Sequence, residues 1–142
     1  MSALPDPLRD AVVRRAGNRC EYCQLPAQLQ VGGFEVDHIL PRSRGGQTDF
    51  ANLALACPHC NARKWAHTDG EDPESGQRVP LFNPRTQRWE DHFQWSTQRS
   101  FEIVGTSVHG RATIAQLQMN HADLVSIRRL LAALDISWRV EA

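Results

Sequence analysis

Apolar positions along the chain fall into short runs of changing period, and the changes of period mark out a small mixed fold. Near the start, Leu8, Val12, Val13 and Ala16 recur at helical spacing behind Asp6 and Pro7, with Gly17 after them. This predicts a short amphipathic helix, capped by Asp6, tolerating proline in its first turn and stopping at glycine. Residues 34–39 (FEVDHI) alternate and are rich in strand formers, so they predict a strand ending before Pro41. Residues 42–47 form a polar turn with two glycines, residues 52–56 a second short strand, and residues 61–67 have helix-compatible composition. The polar segment 69–80, with two glycines and two prolines, predicts a long loop. Trp89, Phe93, Trp95 and residues 101–104 predict short strands that pack the rear of the module, a reading preferred here to a stacking platform for bases. Asn120 is placed to cap a final helix in which Leu124, Ile127, Leu130, Leu131 and Leu134 share one apolar face.

Cysteine usage adds a staple to this picture. The chain has four cysteines, and all of them fall into two C-x-x-C pairs, Cys20/Cys23 and Cys57/Cys60. Each pair lets two sulfurs reach one ion, and two pairs complete a closed tetrahedral zinc site that holds structure and does no chemistry. Disulfides and a redox pair are the rival readings. The first fifteen residues have no signal-peptide layout, intracellular proteins seldom keep disulfides, and a redox pair needs no second copy. Zinc and a cytoplasmic setting are therefore the expectation. No run is apolar or long enough to span a membrane, and 142 residues make one compact domain or a small module with an extension.

Between and beside the cysteine pairs lie Asp37-His38, Asn52 and Asn61. Cleaving a phosphodiester needs a nucleophile in line, neutralised charge at the phosphate and help for the leaving oxygen. A carboxylate with an amide oxygen makes a hard, open, weakly charged donor set that suits Mg2+ or Mn2+. An imidazole with an ordinary pKa of about 6.5 is near working pH for a general base. The bland readings are a turn aspartate, a satisfied histidine at a strand end, an asparagine bonding a turn and an asparagine capping a helix. Of the other histidines, His59 is expected to face solvent, His67 to be a spectator, and His92 to be packed or on the surface.

Charge is less telling. The formal net charge is +0, where nucleic-acid binders often carry a basic excess. Arg9, Arg14, Arg15 and Arg19 precede the first cysteine pair, and Arg42, Arg44, Arg63 and Lys64 flank the Asp-His and Asn61 positions. The latter four are candidate phosphate contacts, with modest and salt-sensitive affinity expected.

The run VDHILPRSRGGQTDFANLALACPHCNARK resembles the HNH endonuclease family, in particular its zinc-stapled ββα-metal members. Residues 81–85 and 89–95, and residues 110–113 with Met119 and Asn120, also resemble a bacterial subgroup of these proteins, without implying a chemical role. The resemblance implies that His38 is the general base and that Asp37 and Asn61 ligate the catalytic metal. It also implies that Asn52 braces the loop and orients the histidine, an H-N-N variant of the motif. Cys20, Cys23, Cys57 and Cys60 match the zinc staple, and the expected products are 5′-phosphate and 3′-hydroxyl ends.

The expectation is thus an α+β fold: a ββα-metal core with its N-terminal helix in residues 1–68, and an extension with a hairpin and helix in residues 69–142. The expected activity is metal-dependent DNA hydrolysis, with structural Zn2+ and catalytic Mg2+ or Mn2+. A further protein is expected to aid targeting, and the chain to be a monomer or weak homodimer. The alternative is a zinc-stabilised nucleic-acid-binding module without cleavage.

Overall fold

The computed structural model describes residues 4–98 and 101–136. It is a mixed helix and small-strand fold. Helix α1 (Asp6–Arg15) leads into the first cysteine pair; strands β1 (Glu35–His38) and β2 (Leu53–Ala56) form an antiparallel hairpin; helix α2 (Pro58–Lys64) follows at once. Two further two-stranded hairpins come next, β3 (Asp69–Glu71) with β4 (Arg78–Pro80) and β5 (Phe93–Trp95) with β6 (Ile103–Gly105). Helices α3 (Val108–Leu117) and α4 (Ala122–Ala133) close the described chain.

The central hairpin is placed by burial. All four residues of β2, Leu53-Ala54-Leu55-Ala56, are buried, which requires cover on both faces of the strand. Helix α1 supplies one cover and α2 lies against both strands. One continuous core joins the module to the extension: Val12, Tyr22, Phe34, Leu53 and Leu55 pack in the same cluster as Phe82, Trp89, Phe93, Ile103 and Leu117. Trp89, Phe93 and Trp95 stack along this core, with neighbouring ring centroids 5.1 and 5.5 Å apart. They are packing residues, as the sequence reading preferred.

Several local expectations are corrected. Asp6 is the first helical residue rather than the cap; Pro5 holds the cap position, with no side-chain bond. Helix α2 starts earlier than expected, because the Cys57 sulfur accepts from the Cys60 amide and Pro58 opens the first turn. Asn61 is therefore mid-helix and not a cap. Segment 69–80 is the β3–β4 hairpin and not a loop; its turn is organised by buried Asp72, which accepts from Ser75 and from the Arg111 guanidinium at 2.9 and 3.0 Å. The cap of α4 is His121. Asn120 instead clamps Ile103, accepting from its amide at 2.7 Å and donating to its carbonyl at 2.8 Å. On α4, Leu124 and Leu131 are buried, whereas Leu130, and Leu134 just after the helix, are exposed.

Candidate active site and metal centre

The four cysteines converge from both ends of the hairpin. Cys20 and Cys23 lie on the turn after α1; Cys57 and Cys60 lie at the start of α2. All four are buried, unbridged by disulfides, and their sulfurs lie within 4.8 Å of one another. The Cys23 and Cys57 sulfurs are 3.6 Å apart, close to the spacing of about 3.8 Å that follows from tetrahedral bonds of about 2.3 Å to zinc. Burial opposes ionisation of Cys20, yet hydrogen bonds from Cys23, Cys57 and Cys60 pull its pKa well down. Bonding to Cys20 pushes Cys23 and Cys60 well up. These buried thiols thus oppose one another's ionisation, which a bound divalent cation relieves. The donor set and spacing fit zinc. Among the described residues this is the one group of three or more Cys, His, Asp or Glu arranged to share an ion.

The second site opens where β1 faces α2. Alternation along the strand puts Glu35 and Asp37 on one side, and α2 meets them with Asn61 and Lys64, one helical turn apart. The Asn61 amide donates to the Glu35 carboxylate, which leaves the Asn61 Oδ1 as an acceptor. Asp37 is only 4 % exposed and Lys64 2 %, with Nζ 3.1 Å from Asp37 Oδ2. The ammonium also donates to the carbonyls of His38 and Ile39, at 3.4 and 3.1 Å. Tyr22, buried inside the first cysteine pair, donates to Asp37 at 2.8 Å. Burial pushes the Asp37 pKa up, while Lys64 and the Tyr22 hydroxyl pull against it.

His38 ends β1 half-buried, with Nε2 2.8 Å from the Thr48 hydroxyl. Burial lowers its pKa; Asp37 opposes this, and the charges on Arg42 and Lys64 add to it. Asn52 holds the loop between the two strands. It accepts from Leu40 N at 2.9 Å and donates to Leu40 O and Gln47 O at 3.0 and 2.9 Å. Gly46 fits this loop because a Cβ there would lie 1.7 Å from Leu40 O. Asp37, His38 and Asn61 line one open cleft of about 320 Å³, together with Arg42 and Trp65.

The remaining sequence candidates divide. Arg42 and Arg44 are exposed on the turn after β1, and Arg44 donates to Thr68 at 2.6 Å. Arg63 donates back to His59 O at 3.3 Å. Lys64, expected at the phosphate, is instead buried against Asp37 and has no exposed ammonium to offer. His59, expected to face solvent, points Nε2 at the carbonyls of Leu117 and Gln118, 3.0 and 2.9 Å away. Sequence reasoning passed over Tyr22, Glu35, Thr48 and Trp65. Only Glu35 carried a signal, its i, i+2 spacing from Asp37.

Residues 20–66 match the HNH endonuclease family. The core of this chain is an HNH module. The chain is also similar to the Septu protein PtuB of Bacillus thuringiensis, at 24% identity over 85% of this chain and 44% of that protein. It is similar to the CRISPR-associated endonuclease Cas9 of Corynebacterium diphtheriae, at 26% identity over 82% of this chain and 13% of that protein. The chain thus spans less than half the length of these curated relatives. No solved structure matches it. The HNH module and these relatives support a nuclease-type function.

Proposed function

We propose that the protein is a metal-dependent endonuclease that hydrolyses DNA phosphodiester bonds. The observation that carries this reading is the meeting of Asp37, His38 and Asn61 in one open cleft, beside a separate closed cysteine cluster that already accounts for structural metal. Two kinds of donor set within one HNH module suit two kinds of ion.

His38 is the general base. In the tautomer whose Nε2–H donates to the Thr48 hydroxyl, Nδ1 is left to take the proton of an attacking water. Its lowered pKa keeps the ring neutral, and so able to accept that proton, at neutral pH. Asp37 and the Asn61 Oδ1, with Glu35 as a further carboxylate, would hold Mg2+ or Mn2+, whose chemistry is to neutralise the phosphate and stabilise the leaving oxygen. Asn52 fixes the loop that presents His38, and Cys20, Cys23, Cys57 and Cys60 would hold Zn2+. Arg42 and Arg44, on the exposed turn, and Arg63 on α2 are the phosphate contacts of this reading. With balanced net charge, substrate affinity is modest, and a further protein aids targeting.

One observation favours the second reading, a zinc-stabilised module that binds nucleic acid without cutting it. The Asp37 carboxylate is already engaged by Lys64 and Tyr22. Conversion of supercoiled plasmid separates the two readings. With Mg2+ or Mn2+, nicked or linear product is expected; with no added divalent ion, or with His38→Ala, none. Shifted but intact plasmid under every metal selects the binding module.

A further inference from the structure

Helix α2 ends in an unusual way. The residue after Lys64 is Trp65, with φ 43° and ψ −119°, in the half of conformational space where glycine or asparagine usually follows a helix. A bulky side chain there is strained, and such strain persists where the surroundings or a function require it. Packing does not repay it, because Trp65 is 76 % exposed. Its ring meets the ring of His67 edge-on, with centroids 6.2 Å apart.

The backbone that carries the ring is nevertheless held in place. The Trp65 amide donates to Asn61 O at 2.9 Å, and Trp65 lines the same cleft as Asp37, His38, Arg42 and Asn61. The largest exposed aromatic surface near the cleft is thus tied through one backbone bond to a candidate metal ligand. A chain of phosphates running past His38 carries one flat apolar group per phosphate, the nucleobase. Aromatic side chains stack on bases of any sequence, provided the face of the base is uncovered. In a duplex, neighbouring pairs cover both faces.

Resting on the nuclease reading above, we propose that Trp65 is a stacking platform for an unpaired or extruded nucleobase beside the scissile phosphate. The preferred substrate is then single-stranded or locally opened, and it is held without sequence preference at this position.

The test uses the full zinc-loaded chain carrying His38→Ala, so that binding is read without cleavage. Trp65→Gly keeps the backbone conformation, and Trp65→Phe keeps a smaller aromatic face; thermal melting confirms that both fold. Three labelled 20-mers are titrated: single-stranded oligothymidylate, its duplex with oligoadenylate, and an abasic sugar-phosphate strand. Trp65→Gly is expected to weaken binding of the single strand about 5- to 100-fold. Trp65→Phe should weaken it by a few-fold at most, and the abasic strand should bind both forms equally. Equal affinity of Trp65→Gly and its parent for oligothymidylate overturns the proposal, as does an equal loss on the abasic strand. Loss of a co-purifying protein with unchanged nucleic-acid binding overturns it too, in favour of a protein contact. Plasmid cleavage by the His38-intact chain that survives Trp65→Gly unchanged removes the platform and leaves the nuclease standing. A chain that neither binds nor cuts any of these probes removes both.

Discussion

The cysteine cluster and the cleft are built on the same hairpin and helix, but they balance charge to different degrees. Around the cysteines, soft donors face inward, every sulfur is buried, and the one guanidinium whose charge acts on all four, that of buried Arg128, is outnumbered by them. In the cleft, the protein brings its own cation. Lys64, the one lysine of the chain, sits on Asp37 with both side chains almost wholly buried. One guanidinium cannot balance four thiolates, so the closed site is expected to depend on a divalent ion to fold, whereas Lys64 matches the single charge of Asp37 and the cleft is expected to stay folded without an ion. Tyr22 joins the two, since its backbone belongs to the first cysteine pair while its hydroxyl ends on Asp37.

The largest effect should come from breaking the cysteine side. Cys57→Ser, or stripping the metal with a thiol-specific chelator, removes binding energy on the order of 10 kcal/mol. The chain is expected to bind no zinc in elemental analysis and to lose its cooperative melt. By contrast, withholding Mg2+ should leave the melting curve of the zinc-loaded chain almost unchanged. A chain that melts normally without zinc would end the comparison.

The cleft is broken functionally rather than structurally. His38→Ala is expected to lower the rate of plasmid nicking by about 10²- to 10⁴-fold with little change in melting temperature, because His38 is half-buried and its side-chain partner is the exposed Thr48. Undiminished nicking by this variant would remove His38 from the base position.

Lys64→Met tests the internal counter-charge. Removing one partner of a buried pair leaves the other uncompensated, at a cost of about 3–5 kcal/mol. Because burial raises the Asp37 pKa above its unfolded value, the folded carboxyl keeps its proton to higher pH than the unfolded one. Its contribution therefore favours folding most at low pH and declines as pH rises through the folded pKa. The variant should lie further below its parent at neutral pH than at acid pH. Adding Mg2+, or adding Asp37→Asn, should recover much of the loss in urea titrations. No recovery by either route would mean that Lys64 acts through packing and its bonds to the His38 and Ile39 carbonyls.

These two regions were not equally legible in the sequence. The cysteine pairs could be read because the signal is local: four residues of one chemical type at fixed short spacing. The β1 and β2 strands were legible for a similar reason, since alternation and an apolar run between turn residues leave few alternatives. The pairing of Lys64 with Asp37 was not, because a lysine in NARK reads as a solvated helix end, and only the placement of α2 against β1 buries it. Glu35 was overlooked although its strand spacing from Asp37 was visible. Trp65 carries no sequence signal at all, because its meaning lies in a backbone angle and an exposure. In the extension, the strands of β3–β4 are three residues each, too short for a period to emerge. Helix α3, with glycine and threonine inside VHGRATIAQL, has no clear apolar stripe. Asn120 looked like a cap because its type suits one, yet the backbone of Ile103 lies near enough to take both halves of its amide.

The smallest effect sharpens the comparison by supplying a control away from both sites. Acid should weaken the cysteine side in any case, since thiolates must lose their metal as they gain protons. A fall in melting temperature with pH is thus not by itself a property of the metal centre. His92 lies in the extension, with Nδ1 2.7 Å from the Ser107 hydroxyl and its ring 5.8 Å from Phe82 and 5.9 Å from His109. Burial lowers its pKa and the neighbouring His109 adds to the shift, against a smaller pull from Asp91. The unfolded chain then takes up the proton first. The stability that neutral His92 contributes is complete above its ordinary pKa of about 6.5 and is lost as pH falls from there through the folded value. His92→Gln keeps a polar partner for Ser107 and removes the titration. Melting temperatures of the zinc-loaded parent and variant, followed from pH 7.5 to 5.5, should converge slightly toward acid, because only the parent pays the protonation cost. The acid loss common to both curves belongs to the rest of the chain, including the cysteine cluster. Parallel curves would show that His92 is solvated well enough to titrate as it does in the unfolded chain.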